Sequence, residues 1–165
     1  MQLDAFCTNG SSPPSPARPL RYRLRTVTLK LGEPPAATVS SPENALAFLL
    51  PIFADLDEDR EHAVMLALDS QNRVRGFKVV STGSQSASLV DPKTLFRDAL
   101  LLGAAAIILA HNHPSGDPTP SREDLRLTHQ LSQAGKILDL RVHDSMILGD
   151  CGRYVSLADR GQMEG

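Results

Sequence analysis

An α/β sandwich on a mixed sheet is the fold class this sequence predicts, and three features predict it. Segments with helix and strand character alternate along the chain. The run AAAIILA, residues 104–110, is apolar on both faces, as a central strand covered from both sides must be. Two segments open with a capping side chain followed by proline, Ser41-Pro42 and Asp91-Pro92, which is the chemistry of a helix start.

The elements follow in order. Residues 1–19 are expected to be a flexible N-terminal tail, because 8–19 are rich in Ser, Pro and Gly and carry little apolar material. Residues 20–160 are expected to form one domain. Its first segment, 20–31, contains YRLRTVTLKL and reads as an edge strand, with Arg21, Arg23 and Arg25 on one side. Ser40-Ser41-Pro42-Glu43 then starts a helix whose Ala45, Phe48, Leu49 and Ile52 recur at helical spacing. After an acidic stretch, residues 55–61, AVMLALD and RVRGFKVVS form two strands joined by the turn residues Asp69-Ser70-Gln71-Asn72, a hairpin. A Gly/Ser-rich connection leads to a helix over 92–102, stopped by Gly103. The central strand 104–110 is followed by the loop HNHPSGDPTP and a helix from 121 to about 134, ended by Gly135. LDLRV, SMIL and residues 154–157 complete the sheet.

The composition excludes several classes. A chain of 165 residues with 41% hydrophobic and 22% charged residues can bury a core, and its net charge of −2 leaves no overall basic footprint for nucleic acid. Cys7 and Cys151 are too few and too distant for a disulfide framework, which points to a reduced compartment. Residues 1–6 lack the cationic start and apolar stretch of a signal peptide. The nearly apolar run 99–110 is far short of the ~20 residues a membrane span needs. A cytoplasmic protein with no membrane segment is therefore expected.

The chemistry concentrates in His111-Asn112-His113 and Ser121-Arg122-Glu123-Asp124. Two histidines at i and i+2 in extended chain direct their rings to one side. They stand where a buried strand ends, the usual location of sites in α/β sheets. Two imidazoles and one carboxylate suit Zn²⁺ and leave a fourth tetrahedral position for solvent. Pro114, Pro118 and Pro120 lower the entropy lost on ordering the loop between them. Asp124 falls in the first helical turn, where the helix dipole favours a carboxylate, and Ser121 is equally a helix cap.

The stretch HNHPSGDPTPSREDL resembles the JAMM metalloprotease motif (MPN+) in the form carried by the bacterial RadC family. The match runs without a gap from His111 to Asp124, and more loosely over residues 40–149, including TGSQSASLVDPKTLFRDAL and MILGD. The resemblance implies a JAMM/MPN-like α/β/α sandwich around a mixed β-sheet. It implies one Zn²⁺ per chain on His111, His113 and Asp124, with Ser121 polarising the scissile carbonyl. It also implies a glutamate acting through the zinc-bound water, for which Glu61 is the match and Glu58 the rival. Two departures accompany it. RadC-like proteins usually carry an N-terminal helical region with a helix-hairpin-helix, for which the residues before Ser40 leave no room. They also tend to have Asp-His before the last Ile/Leu-rich strand, where this chain has Asp144-Ser145, with His143 one position earlier. His62 and His129 fit no ligand spacing, and Asp117 is expected to serve the turn.

The implied function is zinc-dependent hydrolysis of a peptide or isopeptide amide in a protein substrate. The alternative is a non-catalytic zinc-binding module associated with DNA repair or recombination proteins, in which direct nucleic-acid contact would fall to the arginines between 18 and 25. A Mg²⁺-dependent nuclease ranks below both, since such sites use carboxylate-rich ligation.

Overall fold

The computed structural model describes residues 38–83 and 90–164. The tail, the segment 20–31 with its arginines, and much of the Gly/Ser-rich connection lie outside the described residues.

The order of elements is α1 (Pro42–Ala54), β1 (Glu61–Leu68), β2 (Val74–Gly83), α2 (Pro92–Leu101), β3 (Ala106–Asn112), α3 (Arg122–Leu138), β4 (Arg141–Leu148), a 3-10 turn (Asp150–Gly152) and β5 (Tyr154–Ser156). The strands form one sheet in the order β2-β1-β3-β4-β5. The expected hairpin is present as the antiparallel pair β1–β2. β3 is the middle strand, antiparallel to β1 and parallel to β4. It therefore needs a crossover, and α3 provides it.

Alternation along β3 sends Ala106, Ile108 and Ala110 to one face, where they meet Ala45 and Leu49 of α1. Ile107 and Leu109 go to the other face, against Leu95, Phe96 and Ala99 of α2 and Leu131 of α3. Both faces of the central strand are thus covered, as its uninterrupted apolar sequence requires. The architecture is a mixed α/β sandwich. Among the described residues no helix is long and apolar enough to cross a membrane.

Three boundaries differ from expectation. β3 continues through His111 and Asn112, so the histidine motif starts inside the sheet rather than in the loop. LDLRV and SMIL are not two strands: Leu138 belongs to α3, and Arg141–Leu148 is one continuous strand. Gly135 does not end α3, which runs on to Leu138 and stops at Asp139 in the left-handed conformation (φ 52°). Gly135 is there for contact, not for termination. A Cβ at this position would lie 2.5 Å from the Leu140 carbonyl oxygen and 3.2 Å from Cγ2 of Val142. Alanine would gain about 1 kcal/mol of helix propensity, but a backbone oxygen cannot rotate aside, and overpacking costs about 1–3 kcal/mol. Gly135→Ala is therefore expected to lower stability, read as an earlier urea midpoint with an unchanged m-value.

The β3–β4 ladder carries a register shift: Ile107 pairs with Val142 but Ile108 with Asp144, leaving His143 as the extra residue. The bulge returns Ser145 to the α3-facing side of the sheet, level with Leu109. His143 is turned to the far side of the molecule, where its Nε2 lies 2.9 Å from Asn72 Oδ1.

Candidate metal centre

The site lies at the carboxyl end of β3, where the chain leaves the sheet to begin α3. His111 pairs with Ala63 of β1, so continuing the antiparallel register sets Glu61 across from His113. Ala63 and Met65 face the same side as Leu109, and the period of two puts Glu61 and His111 on that side as well. Backbone geometry therefore delivers both histidines and the glutamate before any side-chain contact is considered.

The loop that carries the second ligand group is pinned at several points. His113 N–H donates to the Leu148 carbonyl (2.9 Å), and Gly116 N–H closes a turn on the His113 carbonyl (2.9 Å). Gly116 has φ 74°, a conformation only glycine adopts without strain. Its carbonyl accepts from Arg153 Nη2 at 2.8 Å. Asp117 Oδ1 accepts from the backbone N–H and hydroxyl of Thr119, which is the turn role expected of it.

At the start of α3, Ser121 and Asp124 form a reciprocal capping box. Ser121 Oγ accepts from Asp124 N–H (3.1 Å), and Asp124 Oδ2 accepts from Ser121 N–H (2.7 Å). The cap that starts the helix thus also orients the carboxylate. Asp124 Oδ1 lies 3.1 Å from His111 Nε2 and Oδ2 lies 3.5 Å from His113 Nε2. The two Nε2 atoms are themselves 3.1 Å apart. A carboxylate oxygen of Glu61 and one nitrogen from each histidine lie within 4.8 Å of one another. The structure thus brings together His111, His113, Asp124, Ser121 and Glu61. Glu58 is exposed on the preceding loop and outside this group.

Electrostatics follow from the contacts. Burial works against ionising Asp124, but hydrogen bonds from His111 and His113 outweigh it and hold the carboxyl well below the usual range. The Asp124 hydrogen bond raises His113, over the opposing effect of burial, and the charge of Glu61 adds to the rise. His113 Nδ1 lies 2.8 Å from the Asp117 carbonyl, which can only accept, so the proton resides on Nδ1 and Nε2 faces the centre with its lone pair when the ring is neutral.

Two residues missed by sequence reasoning complete the site. Asn112, between the histidines, faces the other side of the sheet. Its Oδ1 accepts from His62 N–H (2.7 Å) and its Nδ2 donates to the Arg60 carbonyl (2.9 Å). It thereby clamps the backbone on both sides of Glu61. His62 is not a ligand: its ring is held between the Thr82 hydroxyl (3.1 Å) and the Asp57 carbonyl (2.8 Å), tying the acidic loop to the sheet. The only hint in the sequence was an amide between two histidines. His129 is half-buried on α3, beside a shallow groove with Arg122 and Arg126. A larger groove, about 580 Å³, runs beside His113 between the end of α1 and the 3-10 turn, lined in part by Leu50, Phe53 and Leu148.

A family model described as RadC-like JAB domain matches residues 39–162. A UPF0758 protein of Methanosarcina acetivorans is 43% identical over 142 residues, covering 86% of this chain and 59% of that protein. One from Moorella thermoacetica is 44% identical over 141 residues, with coverage of 86% and 58%. One from Desulfitobacterium hafniense is 44% identical over 123 residues, with coverage of 74% and 53%. This chain spans little more than half the length of these relatives. The five-stranded mixed sheet with its three helices is consistent with a JAB/MPN-like fold. With a family model matched over most of its length, this chain belongs to the RadC-like JAB domain family.

Proposed function

We propose that the chain is a zinc-dependent metallohydrolase that cleaves peptide or isopeptide amide bonds. The observation that carries this reading is the spacing of three donors. Ligand atoms about 2.0–2.2 Å from one tetrahedral ion stand about 3.3–3.6 Å from each other. His111 Nε2, His113 Nε2 and the Asp124 oxygens are separated by 3.1 to 3.5 Å. The donor chemistry fits as well, with two imidazoles and a carboxylate held ionised. His111, His113 and Asp124 would hold the ion. Zinc bound there supplies Lewis-acid chemistry, polarising a carbonyl and lowering the pKa of a water from ~15.7 towards ~7.

The remaining roles belong to side chains of the chain itself. Asp124 contacts both rings, and Glu61 has a carboxylate oxygen within 4.8 Å of one nitrogen of each. Its carboxylate takes the proton of the attacking water and returns it to the departing amine. Ser121 Oγ already accepts from Asp124 N–H, which leaves its hydroxyl proton to donate to the developing oxyanion.

The test is elemental analysis of the purified chain followed by a screen of fluorogenic peptide and isopeptide amides on the zinc-loaded form. One zinc per chain with chelator-sensitive amide cleavage is expected. Zinc without cleavage of any amide would favour the binding-module alternative, and a folded chain that takes up no zinc would end both readings.

A further inference from the structure

Among the described residues, three buried side-chain polar atoms lack a hydrogen-bond partner: Oε1 of Gln162 near the end of the chain and, between β3 and α3, Nδ1 of His111 and Oγ1 of Thr128. His111 and Thr128 are almost fully enclosed, at 2% and 1% exposure. Buried polar atoms are rarely left unpaired, so two of them in one region call for an explanation.

Thr128 and Asp124 are one helical turn apart on the buried stripe of α3, which continues through Leu131 and Gly135. α3 runs antiparallel to β3, since it joins two parallel strands. Its first turn meets His111 through Asp124, and Gly135 at the other end meets Leu140 and Val142, the latter paired with Ile107. At ~1.5 Å per helical residue Thr128 lies ~6 Å along from Asp124, which at ~3.3 Å per strand residue is the level of Leu109. The β4 partner at that level is Ser145, itself buried at 2% and brought to this face by the His143 bulge. The two nitrogens of an imidazole diverge, so with Nε2 of His111 aimed at Asp124, Nδ1 is directed away from it. Thr128 is the polar side chain of α3 on that side.

We propose that Thr128 is the positioning residue for His111: its hydroxyl accepts the Nδ1 proton across one enclosed water, with Ser145 as the neighbouring polar wall. The reason is tautomeric. A neutral histidine offers an Nε2 lone pair only when its proton sits on Nδ1. His113 achieves this with the Asp117 carbonyl, and His111 needs an equivalent acceptor. The proposal deepens the metal-centre reading and rests on it for its consequence, but the Nδ1 hydrogen bond can be read without metal.

The test uses the full chain with Thr128→Val, which keeps shape and removes the hydroxyl, and Thr128→Ser, which keeps the hydroxyl. In the metal-free chain, nitrogen–proton NMR of labelled histidine at a pH where both ring nitrogens carry a proton should report the His111 Nδ1 proton as hydrogen-bonded and slow to exchange. Thr128→Val should speed that exchange, and Thr128→Ser should restore it. In zinc competition against a chromophoric chelator, Thr128→Val should bind about 10–100-fold more weakly, and Thr128→Ser should recover to within about threefold. Unchanged exchange of the His111 Nδ1 proton in Thr128→Val overturns the proposal. So does equal loss in the Val and Ser variants, which would mean packing and not the hydroxyl. Should the parent chain take up no zinc, the metal reading fails by itself while the proton-exchange comparison still decides the role of Thr128.

Discussion

Glu61→Gln is expected to leave zinc uptake at one ion per chain and to lower kcat for amide cleavage by about 10²–10⁴, the range for loss of a general acid–base group. The separation of the two effects is the informative part. Asp124 makes direct contacts to both imidazoles, and Glu61 has a carboxylate oxygen within 4.8 Å of one nitrogen of each. Glutamine is nearly isosteric and cannot take a proton, so it should remove the base without disturbing the histidine–aspartate set. Parallel measurements of metal content and of kcat and KM on one preparation decide it. A fully active Glu61→Gln chain would take Glu61 out of the mechanism, and one that loses zinc would make it a ligand. Glu58→Gln is the control, and its exposed position predicts no change beyond the assay's scatter.

His113→Ala should lose tight zinc binding altogether, since two donors remain where a protein site needs three. The parent chain should show a related dependence on pH. His113 titrates above the ordinary histidine value because of Asp124, with burial opposing the rise. Its proton therefore stabilises the metal-free fold below the ordinary histidine pKa, and that contribution is lost as pH rises through the raised value. Zinc needs the same nitrogen bare, so the linkage to metal has the opposite sign. Apparent zinc affinity should weaken about tenfold per pH unit below the His113 pKa, for one proton displaced, and level off above it. Chelator competition at a series of pH values reads this directly. Affinity that is flat across the histidine range would show that His113 gives up no proton on metal binding. Asp124 should add no dependence there, because its carboxyl is held far below that range.

Much of this was legible in the chain before folding. Periodicity and caps located α1, α2, the β1–β2 hairpin and the doubly buried β3, because each depends on residues near one another in sequence. The ligand pattern was legible for the same reason: His111, His113, Ser121 and Asp124 occupy one strand–loop–helix, and the capping box that orients Asp124 is itself a local motif. The end of α3 was misread because Gly135 carries a stop signal locally, while its actual constraint comes from Leu140 and Val142 packing against it.

What only the tertiary structure decided are the contacts between distant segments. Which glutamate faces the histidines depends on the pairing of β1 with β3, and Asn112 reaches Arg60 and His62 across 52 and 50 positions of chain. A single extra residue at His143 turns Ser145 from one face of the sheet to the other. Side-chain direction in a strand reverses with every residue, so register, which is set by pairing energies summed over a whole ladder, assigns each side chain to a face. Local sequence specifies the ligands; the ladder decides what stands beside them.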